Sequence, residues 1–224
     1  MTLGRHEGIV NYSCCWFLAH LGWVARLQGR LEEAVRHGRD AVDLVPVAGQ
    51  VWFGPATRSL LAGTLLEFGD AAGARELLET AQRDAGPDGA ESYRLRCLAP
   101  LAEVTGDPAV LAEADALLAG ISAPPGGAWI LGADAYLSVA RAWLGRCEPA
   151  RARAVLAPLL AAAQRLDWVP VLVTAGLVDA TAAAALGEPS AAAALGAVAE
   201  RAQRHAIPGV AAAARAVAAG LRPG

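Results

Sequence analysis

The chain has 224 residues, of which 55% are hydrophobic and 18% charged, which supplies a substantial core and excludes a disordered chain. Its net charge of −3 and pI near 5.8 argue against nucleic acid as a partner, because neutralising phosphates needs a basic face. Aromatic residues make up only 5% and alanine dominates the second half, so small aliphatic side chains on good helix formers must fill the core.

The opening MTLGRHEGIV has no basic region running into an apolar one, so no signal peptide is expected. Residues 9–25 are apolar, but Asn11, Ser13 and His20 interrupt them, and no stretch of the chain reads as a membrane span. Helical patterning predicts a first pair over about 9–28 and 30–45, closed by Pro46. A second pair follows over about 51–68 and 70–85, then Gly86 and Pro87. The third covers about 90–105 and 108–120, before the Pro124-Pro125-Gly126-Gly127 stretch, which reads as a loop inside one solenoid. The fourth covers about 129–145 and 148–166, and the fifth about 170–186 and 189–205. A last helix over about 208–221, opened by Pro208, would cap the stack.

These pairs repeat. Gly29, Gly69, Gly106, Gly145 and Gly187 end helical stretches at spacings of 40, 37, 39 and 42 residues, and each is followed by a charged residue. Seven positions before each glycine stands a small residue: Gly22, Ala62, Ala99, Ser138 and Ala180. Five positions after stand Ala34, Ala74, Leu111, Ala150 and Ala192. Eight before stand Leu21, Leu61, Leu98, Leu137 and, breaking the rule, Asp179. A glycine can adopt the left-handed conformation that ends a helix at low cost. The small residue lets the next helix pack close, and a single pair has too little core to stand alone, so neighbours must stack. The expectation is one domain over 1–224, with units at about 9–46, 51–87, 90–122, 129–168 and 170–206 and a cap at 208–221.

The first unit resembles a tetratricopeptide repeat: Leu21-Gly22 match its L-G pair, Ala34 and Ala41 its alanines, and Pro46 its closing proline. Leu18 stands where the family has tryptophan and Ala25 where it has tyrosine; later units keep the small residues and lose most aromatics. The resemblance implies an all-α, right-handed solenoid of about five antiparallel helix pairs with a C-terminal cap. The longer alanine-rich units also look like the C-terminal helical regions of LuxR-type ATP-binding activators and cyclase-linked signalling ATPases of bacteria. The G-x-x-x-x-G-K-[ST] loop of such ATPases is absent, which implies a detached sensor or scaffold module.

In the family, ligands bind on the concave face, lined by the first helix of each pair. The repeat phase places Trp16, Trp23 and Arg26 there in unit one, and Tyr93, Arg96 and Glu103 in unit three, with Asp134, Trp168 and Asp179 nearby. Tyr12, Trp16, Phe17, Trp23, Trp52 and Phe53 crowd the N-terminal half, and aromatics with arginines are common interface anchors. Trp16, Trp23, Arg26, Trp52, Tyr93 and Arg96 are therefore the candidate partner-binding residues. The same rings could instead pack between repeats, or face a covering domain or a second copy, since NYSCCWFLAHLGW is not the polar outer face that a terminal repeat needs. Asp179 marks either a partner contact or, the favoured reading, a frayed last repeat.

Evidence for chemistry is thin. Cys14, Cys15, Cys97 and Cys147 have no C-x-x-C spacing, so neither a zinc site nor a redox motif is expected, and they fit a reduced, cytoplasmic compartment. His20 near Cys14 and Cys15 is read as a packed histidine, and Glu32, Glu33, Asp40, Asp43, Glu76 and Glu79 as solvated charge. The expectation is a non-catalytic scaffold without cofactor or metal, holding a protein segment or small effector in its groove. An assembly role for the aromatic end is the alternative, and an enzyme with a helical cavity a distant third.

Overall fold

The computed structural model describes residues 3–48, 54–85, 91–120 and 130–221. Trp52, Phe53 and the 124–127 loop lie outside the described residues, as does the side chain of Tyr12. The described residues form eleven α-helices and no strand. In chain order they are α1 (Leu3–Leu27), α2 (Leu31–Ala48), α3 (Gly54–Phe68), α4 (Ala71–Ala85), α5 (Glu91–Thr105) and α6 (Pro108–Gly120). There follow α7 (Ile130–Gly145), α8 (Pro149–Arg165), α9 (Val169–Ala185), α10 (Ala191–Arg204) and α11 (Pro208–Gly220). The fold is an all-α solenoid of stacked antiparallel helix pairs.

The turns explain the repeat. Gly29, Gly69, Gly106 and Gly187 take positive φ values of 73°, 93°, 64° and 74°. After Gly29, Gly69 and Gly187, the next amide donates to the carbonyl five residues back: Arg30 to Ala25, Asp70 to Leu65 and Glu188 to Ala183. This is the bond that closes a helix over a left-handed residue. The aspartates that follow two of the glycines are helix caps: Asp70 Oδ1 accepts from Gly73 N, and Asp107 Oδ1 from Ala109 N, each at 2.8 Å. Proline opens α6, α8 and α11 and is the second residue of α9, where its missing N–H costs nothing.

Three expectations need correcting. The fourth turn is not made by Gly145, which still belongs to α7; the left-handed residue is Cys147, φ 59°, with Glu148 N donating to Trp143 O. The true phase of this unit is therefore two residues later: Val139 and Ala140 are the packed positions, and Ala152, not the exposed Ala150, is buried. In the last unit Ala191 is buried in place of the exposed Ala192. Pro46 does not close α2, which continues to Ala48.

The small residues do bring helices together. A Cβ on Gly22 would stand 3.1 Å from the carbonyl oxygen of Ala34, so α1 and α2 touch nearly backbone to backbone. Ala34, Ala62, Ala74 and Ala99 are buried. A principal core runs through α5 to α9, built from Leu98, Leu111, Val139, Leu156 and Leu159 among others. A second cluster, of Cys15, Ala19, Ala41, Val45, Ala56 and Leu60, joins α1, α2 and α3.

The stack closes on itself. Gly209 of α11 lies against Gly29, where an added Cβ would meet its amide nitrogen at 3.7 Å. Leu27 of α1 packs on Val173, Ala202, Ile207 and Ala211 from the other end of the chain. The last helix thus meets the first turn, and the concave groove is narrowed into a partly open cavity. Phe17, Leu21 and Val24 of α1 lie outside this contact and remain exposed.

Candidate functional site

The partly open cavity has a volume of about 540 Å³. Apart from Gly29 and Leu31 at the first turn, its lining comes from α1, α3, α5, α7, α9 and α11. The apolar part of the wall includes Leu27, Leu60, Leu66, Pro100, Leu177 and Val210. The charged part comprises Arg26, Glu67, Arg96, Glu103, Asp134 and Arg141. Repeating helical units place these groups at similar depths on successive helices, so they converge although they are distant in sequence.

Arg26 is the hub of the charged wall. It is 7% exposed, and its Nη2 donates to Asp134 Oδ1 at 3.2 Å while its Nε lies 3.4 Å from Glu67 Oε1. Burial disfavours its charge, but Asp134 and Glu67 outweigh that, and its pKa rises above the usual arginine value. Gly63 makes the room: a Cβ there would stand 2.8 Å from Arg26 Nη1. One arginine thereby ties α1 to α3 and α7.

Glu103 is the counterpart on α5. Burial raises its carboxyl above the ordinary range, partly offset by Arg141, whose Nη1 is 3.8 Å away, and by a hydrogen bond with Ser138. Its Oε2 is buried with no hydrogen-bond partner among the described residues. Arg96, two helical turns before it, makes no ion pair among the described residues; its guanidinium carbon lies 5.6 Å from the centre of the Tyr93 ring. Burial pushes its pKa below the usual arginine value, with Tyr93, Cys97 and Asp134 offsetting only part of the effect.

The candidate residues divide. Arg26 and Arg96 stand on the cavity wall together with Glu103 and Asp134. Trp16, Trp23 and Tyr93 pack half-buried around the cluster of α1, α2 and α3. Trp168 packs on the principal core. Asp179 accepts from Arg153 Nε at 2.9 Å, and Arg153 Nη1 also donates to Glu188 at 2.6 Å, so Asp179 pins α9 to α8 inside an unfrayed repeat. Ser59, Ser138, Arg141 and Thr174 complete the polar wall; spacing marked Ser138 only as a small packing residue, and neither motif nor spacing singled out the other three.

Cys15 and Cys97 are buried, Cys14 and Cys147 are exposed, and His20 is packed beside Trp16. Cys15 Sγ donates to Ala41 O at 3.2 Å, and burial raises its pKa. Burial pushes Cys97 up to about 11. His20 Nδ1 lies 2.7 Å from Trp16 O, and its ring sits 4.2 Å from that indole. Among the described residues no group of three or more His, Cys, Asp or Glu could hold a metal ion, and no helix is long and apolar enough to cross a membrane.

No known protein family matches the sequence, and no curated protein matches it. Among solved structures, a single-residue variant of a kinesin light chain-like protein of Podosopora anserina, made of nearly identical TPR-like repeats, is similar. Identity is 19% and the TM-score 0.47, over 84% of this chain and 94% of that one. A second structure of that protein is similar at 17% identity and a TM-score of 0.43, over 92% of this chain and 96% of that one. Neither likeness bears on what the chain binds.

Proposed function

We propose that the chain is a non-catalytic binding scaffold that holds a small effector, or a short segment of a partner protein, in the cavity lined by its first helices. One observation carries this reading: among the described residues the cavity wall leaves Arg96 without an ion-pair partner and Glu103 Oε2 buried without a hydrogen-bond partner. Buried polar groups are normally satisfied, and a ligand is one way to satisfy them. The volume suits a small molecule, since ligand cavities run from roughly 300 to 1,000 Å³. The resemblance of the first unit to a tetratricopeptide repeat supports a binding role. The likeness of the alanine-rich units to the helical regions of bacterial ATP-binding regulators supports a regulatory one.

A fragment screen by ligand-observed NMR tests the reading, with Ala213→Trp as the control. Ala213 is an exposed residue of α11 on the cavity wall, so an indole there fills the space without disturbing the core. Fragments that bind the wild type are expected to lose binding to a variant that melts normally. Binding that Ala213→Trp leaves untouched would place the ligand elsewhere and remove the reading.

A second reading has its own observation. Phe17, Leu21 and Val24 of α1 are 64%, 50% and 40% exposed, an apolar stripe at the three- and four-residue spacing of a helix–helix seam. It supports assembly through α1, and it concerns a different surface, so it can hold alongside cavity binding.

A further inference from the structure

Charge is matched unevenly around the cavity. Arg26 is committed to Asp134 and Glu67, and Arg141 lies near Glu103. Arg96 alone among the three arginines on the wall forms no ion pair among the described residues; Asp134, which acts on it through space, is bonded to Arg26. The one close partner of Arg96 is the Tyr93 ring, which leaves the guanidinium N–H donors to be satisfied otherwise. Pro100, one turn further along α5 and on the same wall, has no N–H, so the carbonyl of Arg96 loses its helical donor. The arginine fork thus stands against an apolar wall that includes Pro100, Leu60 and Leu177.

A second negative charge would be unwelcome. Glu67, Glu103 and Asp134 all lie on the same wall, and a dianion would meet them with one uncommitted arginine to offset it. A single carboxylate matches the planar fork of arginine in two parallel hydrogen bonds, and the pairing strengthens where water is excluded.

Building on the cavity reading above, we propose that the site selects small monocarboxylic acids with an apolar body, the carboxylate seated on Arg96 and the body against the leucine and proline wall. Arg26 keeps its place as the internal tie and is not the anchor.

Isothermal titration of the full chain with matched probes tests this. The probes are octanoate and 4-phenylbutanoate, their neutral amides, and octyl phosphate, each against wild type and Arg96→Met. The acids are expected to bind wild type about tenfold more tightly than their amides, equivalent to roughly 1.4 kcal/mol. Arg96→Met is expected to erase that preference, and octyl phosphate is expected to bind wild type more weakly than octanoate. Should Arg96→Met fail to fold, Arg96→Lys keeps the charge without the fork and is expected to lose part of the preference. Equal binding of acids and amides, or a preference that persists in the Arg96 variants, would overturn the proposal and leave cavity binding standing. Tighter binding of octyl phosphate would overturn the choice of a carboxylate. If no probe binds, the monocarboxylate assignment falls; if the fragment screen is empty as well, the cavity reading falls with it.

Discussion

Arg26 on α1 donates to Asp134 on α7 at 3.2 Å, a bond between residues 108 apart in sequence that crosses the inner wall of the closed solenoid. Both partners are drawn out of water, Arg26 almost completely and Asp134 to 28% exposure. Burying a charge is tolerated only when it is paired, so removing one partner costs more than the pair itself contributes. Arg26→Met is expected to destabilise the chain by about 3 kcal/mol in urea unfolding, because Asp134 and Glu67 lose their common cation. Adding Asp134→Asn should recover part of that loss, giving a coupling energy of about 1–3 kcal/mol in the double-mutant cycle. Strictly additive single effects would mean that the two side chains do not act as a pair.

Glu103 makes the stability of the fold depend on pH. Its folded-state pKa lies above the ordinary 4.5 because burial disfavours the charged form. Between the unfolded and folded values the native state holds more protons than the unfolded state. Stability therefore falls as pH rises through that window, and it stays lower above it. Glu103→Gln keeps an acceptor for Ser138 and removes the ionisation; Arg141, a third exposed, can turn to water. The variant is expected to melt above wild type at pH 7 and to converge with it below the ordinary carboxylate range. For a chain of this size, each kcal/mol corresponds to about 2–4 °C. A difference in melting temperature that does not change with pH would rule out Glu103 as the titrating group.

The turn at Cys147 carries avoidable strain. Its φ of 59° is left-handed, where a residue with a Cβ is disfavoured by about 1–2 kcal/mol, and the corresponding turns at Gly29, Gly69 and Gly187 use glycine. Cys147 is exposed, so its thiol contributes no packing. Cys147→Gly is expected to raise stability by about 0.5–1 kcal/mol in urea unfolding, the relief being reduced by the entropy glycine loses on folding. A destabilised variant would mean that the side chain makes a contact that outweighs the strain.

The same turn shows where sequence reading succeeds and where it stops. Helix pairs were legible because glycine marks the ends of most first helices and small residues recur where neighbouring helices touch, as at Gly22 and Ala62. The fourth unit misled because a cysteine took the left-handed position while Gly145, two residues earlier, lay inside the helix and imitated the pattern. The repeat phase aimed Arg26, Arg96 and Glu103 at the concave face, where they line the cavity beside Asp134, but it aimed Trp16, Trp23 and Tyr93 there too, and those rings pack around the cluster of α1, α2 and α3. The pairing of Arg26 with Asp134 could not be read, because it depends on the superhelical path between distant units. Closure of the ring was equally hidden, since the approach of Gly209 to Gly29 follows from small rotations accumulated over every pair.

The outer face of α1 is where the aromatic N-terminal end can act between molecules. Trp16 and Trp23 are half-buried against Cys15, Ala41 and Val45, so substituting them damages packing inside the unit and says little about assembly. Phe17 and Leu21 point the other way, at 64% and 50% exposure. Covering a large apolar side chain fully is worth about 1.5–3 kcal/mol, so this stripe on two copies supplies the apolar centre of a seam, whose strength is what remains after the cost of association. Light scattering on size-exclusion chromatography is expected to give a dimer for wild type. Phe17→Glu with Leu21→Glu should give a monomer with an unchanged circular dichroism spectrum. A wild type that stays monomeric at about 100 μM, two decades above a micromolar Kd, would end the assembly reading and leave this stripe without a role in self-association.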